Sequence, residues 1–249
     1  MESWQAQAGQ LVRSHHKERQ LRRDAATAER EARSHTIDRY LETIFYIDGE
    51  GEVVRASRIA DWLGVSQPTA GATLQRMVRQ GLVQISPASK VVSLSPAGRR
   101  AAERIVRRHR IAERWLTDVL GLDWQAADEE AGRLEHAMSD GVAERLYTLI
   151  GKPETCPHGN PIPGAAPRAG RERPLRELAA GKGSRIRRVS EVAEHDAPEL
   201  LRFLAEAGLF LGVEVETISV SAGAGTQAVR VGDREVSLSL EVAGKIWVD

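Results

Sequence analysis

The chain has 249 residues, enough for one to three domains with real cores. Its 35 Lys and Arg balance 35 Asp and Glu, which excludes a wholly basic nucleic-acid coat but not a local basic face. One cysteine, Cys156, excludes an internal disulfide and a four-cysteine zinc site; no apolar run reaches membrane-spanning length, so a cytoplasmic protein without a membrane partner is expected.

Residues 1–34 mix both signs of charge with few apolar residues and read as a solvated helix or a disordered arm. Ile37, Tyr40, Leu41, Ile44 and Phe45 then recur at helical spacing, and Gly49 and Gly51 break the pattern. Two helices follow, over 57–63 and 67–80, separated by a turn at Gly64–Ser66. Ser66 is placed to cap the second helix, Pro68 sits in its first turn, and Gly81 ends it. LVQIS and VVSLS, joined by residues 87–90, alternate as a β-hairpin. Ser95–Gly98 opens a long helix to about Leu120. Two more helices cover roughly 125–150, with Ala131, Leu134, Met138, Val142, Leu146 and Leu149 on one face. Gly151–Gly183 is rich in Pro and Gly and reads as a linker or ordered loop. From Arg185 the pattern turns strand-like, over 185–192, 212–220, 227–232, 234–244 and 245–249, around one helix at 197–208. That predicts a small β-barrel.

The resulting class is mostly α with a small β part. Five segments are expected: an arm (1–34), a winged helix-turn-helix (35–98), a helical domain (99–165), a linker (166–183) and a small β-barrel (184–249). A helix-turn-helix followed by a hairpin suits double-stranded DNA, with the second helix in the major groove. Ser66, Gln67, Pro68, Thr69, Thr73, Gln75 and Arg76 are the candidate base-facing residues, and Arg55, Arg58, Arg79 and Lys90 the phosphate-facing ones. The arginines of 99–114 read as a solvated face, part of which faces DNA or an anion.

His109 and Glu113 lie four apart on the long helix and share a face. Asp128, Glu135 and His136 sit on the next helix. Convergent imidazole and carboxylate groups are what a divalent first-row metal requires.

RRHRIAERWLTDVLGLDW (107–124), DEEAGRLEHAMSD (128–140) and CPHGNPIPG (156–164), in this order, resemble the diphtheria-toxin-repressor family of metal-dependent regulators. The resemblance is strong over 36–165 and weak over 184–249, and it implies that 99–165 is a dimerisation and metal-binding domain and that 184–249 is an SH3-like barrel. It implies an ancillary metal site of His109, Glu113, Asp128 (His in iron-type members), Glu191 and either Glu194 or His195. It implies an activating site containing Glu135 and His136, with Glu42 as in manganese-type members. Arg110 and Asn160 match positions that hold an anion. His158 is expected to hydrogen-bond within its loop, and Cys156 to pack as a small residue.

Two departures stand out: Arg39 replaces Met or Asp, and Gly132 replaces Cys or Glu. Asp38 is a substitute ligand that helical geometry turns about 100° from position 39. The expected function is a homodimeric, metal-dependent repressor of metal-homeostasis genes, activated by Mn(II) or Fe(II). A constitutive DNA binder, with the Arg39 guanidinium mimicking a cation, is the alternative. A metalloenzyme is disfavoured, because the chain has no HExxH motif and no nucleophile–base set.

Overall fold

The computed structural model describes residues 35–166, 170–196 and 199–249; the expected arm over 1–34 lies outside them. Helix α1 (35–49) turns Tyr40, Leu41, Ile44 and Ile47 inward. Helix α2 (Ala56–Leu63) ends at Gly64, whose φ of 63° closes the left-handed turn into α3 (Gln67–Arg79). Strands β1 (Val83–Ile85) and β2 (Val92–Leu94) form an antiparallel hairpin with Val83 opposite Leu94. The core of this module joins Leu41, Ile44, Ile59, Leu74 and Met77 to Val83, Val92, Ala102 and Ile105.

Ala102 and Ile105 belong to α4 (Pro96–Asp118), 23 residues and so about 35 Å long. Its first half completes the N-terminal core. Its second half packs Ala112 and Leu116 against Ala127 and Ala131 of α5 (Trp124–Ala137), and Ile111 against Ala143 and Tyr147 of α6 (Asp140–Leu149). Asp123 and Ser139 cap α5 and α6 by accepting from the N–H groups of Ala126 and Val142. Four of the α4 arginines pair with carboxylates, Arg99 with Asp48, Arg107 with Glu144, Arg108 with Asp140 and Arg114 with Asp118, while Arg99, Arg100 and Arg104 are exposed, in keeping with a partly solvated face.

The C-terminal unit is a six-stranded antiparallel sheet in the order β3-β8-β4-β5-β6-β7. Its strands are β3 (Arg173–Pro174), β4 (Gly183–Val189), β5 (Glu214–Ser221), β6 (Thr226–Val231), β7 (Arg234–Ser239) and β8 (Ile246–Val248). Helices α7 (Glu191–Asp196), α8 (Glu199–Ala207) and α9 (Leu240–Ala243) complete it. Three expectations change here. The strand over 185–192 stops at Val189 and α7 takes over. The strand over 234–244 stops at Ser239, which caps α9 through the Val242 N–H. The expected linker over 166–183 contributes β3 and buries Leu175 and Leu178 in the C-terminal core. No helix among the described residues is long and apolar enough to cross a membrane.

The start of α4 is pressed against the hairpin. Ser95 donates its hydroxyl to the Gly81 carbonyl and accepts the Gly98 N–H, and a Cβ added at Gly98 runs into the Leu82 carbonyl oxygen. Gly98→Ala should therefore cost about 1–3 kcal/mol through overpacking against backbone. Urea unfolding of the variant checks this, and unchanged stability would refute the close approach.

Candidate metal centre

The chemistry-bearing side chains converge on a cavity of about 250 Å³ where all three modules meet. Helix α1 supplies Glu42 and Tyr46, and α2 supplies Trp62. Helix α4 supplies His109 and Glu113. Helix α5 supplies Asp128, Glu129, Gly132 and Glu135. The C-terminal α7 brings Glu191 and His195, four apart on one face. Six carboxylates and two imidazoles thus line a space to which no lysine or arginine among the described residues contributes. Such an excess of negative charge requires a cation or bound protons.

His109 sits at the centre. Its Nδ1 lies 2.7 Å from Glu135 Oε2, and its Nε2 lies 3.2 Å from Asp128 Oδ1. Burial disfavours its charged form, yet the hydrogen bonds to Asp128 and Glu135 outweigh that and hold its pKa well above the ordinary imidazole value. Asp128 is half-buried, and although desolvation pushes its carboxyl up, its bond to His109 keeps it below the usual range. Glu42 brings a donor atom to within 4.8 Å of those of His109 and Glu135. Burial, and next the charge of Glu135, push Glu42 up to about 8. The Tyr46 hydroxyl donates to Glu42 Oε1 at 2.8 Å. Protons on His109 and Glu42 therefore do what a bound cation would do, and the donor set, nitrogen and oxygen only, fits a first-row divalent ion.

The structure allots the donors differently from the expected two sites. Glu135, assigned to one site, bonds His109 of the other through Oε2 and reaches His136 Nε2 through Oε1 at 3.1 Å. Glu113 pairs with His158 Nδ1 at 2.5 Å, and Cys156 completes a second buried donor group with them. His158 thus reaches beyond its loop to Glu113, and Cys156 is buried beside this pair. Their CPHG spacing was visible, but the direction of the Glu113 carboxylate was not. Burial, and next the Glu113 charge, push the Cys156 thiol up to about 11.

His136 stands beside Asp38, with Nδ1 3.9 Å from Oδ2, and its ring stacks on His35 at 4.8 Å. Asp38 therefore faces α5 despite the predicted angle, because residues 35, 38 and 42 share one face of α1. Arg39 is exposed and does not line the cavity, so its guanidinium does not occupy it in this structure. Arg110 holds no free anion: it donates Nε and Nη2 to Glu191 at 2.9 and 2.7 Å, and Nη1 to the Pro161 carbonyl. Asn160 donates Nδ2 to the Val189 carbonyl at 3.0 Å, tying its loop to β4. The side chain of Glu194 lies outside the described residues.

In the helix-turn-helix, Gln67, Pro68, Thr69, Gln75 and Arg79 are exposed, and Arg76 is half-buried. Ser66 is exposed too, but its hydroxyl caps α3 through the Thr69 N–H and meets the Thr69 hydroxyl at 2.8 Å. Thr73 is a correction. It is buried with Ala70, Leu74 and Met77 and faces the core, not a groove. Lys90 stands exposed at the hairpin tip with φ 58°, and Arg55 donates to the Ser89 carbonyl beside it. Arg58 turns to Glu52 and lies over the Trp62 ring.

A helix-turn-helix module, a two-helix platform on α4 and a small sheet, meeting at buried imidazole–carboxylate pairs, define a ligand-gated DNA-binding architecture. Comparison with known proteins agrees. The family models "Iron dependent repressor, N-terminal DNA binding domain" and "Iron dependent repressor, metal binding and dimerisation domain" match residues 34–91 and 95–164, and "FeoA domain" matches 173–249. The iron-dependent repressor IdeR of Mycobacterium tuberculosis is 36% identical over 225 residues, covering 86% of this chain and 96% of that protein. The diphtheria toxin repressor of Corynebacterium efficiens is 39% identical over 197 residues, covering 74% and 83%. A solved manganese-dependent transcriptional repressor in complex with manganese superposes with a TM-score of 0.76 at 31% identity, covering 85% of this chain and 98% of that one. The chain belongs to the iron-dependent repressor family.

Glu42 makes a pH prediction. Its carboxyl titrates near 8 in the fold against 4.5 ordinarily, so between those values the folded state binds the extra proton. Its contribution to stability is complete below about pH 4.5 and is lost as pH rises through about 8. In chelator, the melting temperature of Glu42→Gln should fall less than that of the parent from pH 5 to 8. Parallel curves would show that Glu42 is not held protonated.

Proposed function

We propose that this chain is a metal-dependent transcriptional repressor. It binds double-stranded operator DNA in the cytoplasm as a homodimer, with Mn(II) or Fe(II) as activating ion, and controls metal-homeostasis genes. The observation that carries this reading is His109 held between Asp128 and Glu135 in a carboxylate-rich cavity built by all three modules. The manganese and iron named for the related repressors point the same way.

His109, Asp128, Glu135 and Glu42 would hold the ion, an all-nitrogen-and-oxygen set suited to Mn(II) or Fe(II). Glu191 lies on the rim and Glu194 one turn later on α7. His136, with Asp38, would serve a neighbouring position. Glu113, Cys156 and His158 form a softer group that a thiophilic ion such as Co(II) or Zn(II) would prefer. The ion supplies positive charge where protons otherwise sit, joining α1 to α4, α5 and α7.

DNA recognition falls to the exposed N-terminal residues of α3, Gln67, Pro68 and Thr69, with Gln75 and Arg76. Lys90 at the hairpin tip and Arg79 contact phosphate. Ala70, Gly71 and Ala72 offer no hydrogen-bonding side chain, so DNA shape carries part of the specificity. Dimerisation uses the apolar side of α5 and α6, where Val142 and Leu149 are exposed and Leu134, Met138 and Leu146 half-buried. An ion that favours the DNA-competent pose by about 1–3 kcal/mol raises DNA affinity by the corresponding 5–150-fold.

The test is a titration of the chain's own promoter fragment in chelator and then in Mn(II), Fe(II), Co(II) and Zn(II). Tenfold or greater stimulation by metal is expected, and equal binding in chelator would remove metal control. Within the same assay, His109→Ala should weaken activation far more than Cys156→Ser. The reverse order would shift the activating ion to the Glu113 group.

A further inference from the structure

The C-terminal unit touches the N-terminal module both away from the metal cavity, through Arg188 and Lys245, and at the cavity's edge, through His195. Arg188 of β4 donates Nη1 to Glu50 Oε1 at 2.6 Å and Nε to Glu172 Oε2 at 3.0 Å, and its guanidinium lies 4.1 Å from the Trp247 ring centroid. The side chains of Arg188 and Glu50 are each only 11% exposed, so solvent screens this pair little. Lys245 reaches Glu52 at 3.5 Å, a more exposed and weaker contact. At the other end of α2, the rings of Trp62 and His195 stack at 3.9 Å with only 3° between their planes.

Glu50 and Glu52 lie in the turn before α2, and Trp62 lies in its last turn. The C-terminal unit therefore holds the α1–α2 turn at one side and the last turn of α2 at the other, and two separated attachments suppress rotation as well as translation. The grip is itself braced from α4's side. Gly159, at φ 88°, lies so close to β4 that a Cβ would collide with the Arg187 carbonyl and the Arg188 backbone. The neighbouring Val189 N–H donates to the His158 carbonyl at 2.9 Å. Arg188 is thus aimed by the loop of one module at the turn of another.

We propose that the C-terminal unit is a clamp on α2, held mainly by the buried Arg188–Glu50 pair and the Trp62–His195 stack, and that this clamp sets the pose of α2 and α3 before any cation binds. The clamp stands on geometry; only its consequence for DNA rests on the function proposed above. Breaking one side of a desolvated ion pair leaves the other charge buried and unmatched, so a single reversal at Glu50 is enough to open it.

The experiment uses the full-length chain in chelator, without DNA, and so is read independently of repressor activity. Small-angle scattering gives the radius of gyration, and limited trypsin cleavage between the units reports opening. The parent should be compact in chelator. Glu50→Arg should expand it and speed cleavage by about tenfold or more. Trp62→Ala and Trp62→Phe form a second pair, in which Phe keeps a stacking ring and the compact state while Ala opens it. A parent that is open in chelator and closes only with Mn(II) would overturn the proposal, because the ion alone would then dock the units. Compact, protease-resistant Glu50→Arg, or Trp62→Phe as open as Trp62→Ala, would overturn it as well.

Discussion

Much of this molecule is arranged around the confinement of one imidazole between two carboxylates. His109 can meet Asp128 and Glu135 together only if α5 lies close along α4, and alanines at the helix contact, Ala112, Ala127 and Ala131, permit that approach. The same confinement fixes the electrostatics. Carboxylates crowd one cavity, so some of them, and the imidazole, keep protons they would lose in solution. A cation entering such a place competes with protons for the same lone pairs, which makes occupancy a joint function of metal activity and pH.

Helix α4 carries the consequence outward. Its first turns are part of the N-terminal core, and its last turns are part of the helical platform. One rigid rod therefore spans the groups that would read DNA and the groups that would sense the ion. The other route between them runs through the C-terminal sheet, which meets α4 at Arg110–Glu191 and the N-terminal module at Arg188–Glu50. Both charge pairs are largely desolvated. They specify orientation more than they add net stability, since burying such ions costs about as much as their attraction returns.

Helical periodicity made most of the fold legible. It marked α1 to α4, with Gly64 at the end of α2 and Ser66 and Ser95 at the starts of α3 and α4. The spacing of 70, 73, 74 and 77 also puts Thr73 on the inward face, whatever the polarity of its side chain. Donor identity was legible for the same reason, because i, i+4 spacing puts His109 and Glu113 on one side of a helix. Donor partnership was not. Whether Glu113 turns toward His109 or toward His158 depends on where the aperiodic loop over 151–166 folds back. The switch from strand to helix at Ser190 was equally hidden. VSEV continues a strand pattern, and only docking of α7 against the cavity makes the helix the better choice.

The solitary thiol has a practical corollary. Cys156 is buried and its sulfur stays protonated far above cellular pH, so the nucleophilic thiolate is scarce and alkylating reagents have no approach to it. The natural protein thus offers a blank background for site-specific labelling. A cysteine introduced at an exposed position would take a fluorophore or spin probe without first stripping out the native one.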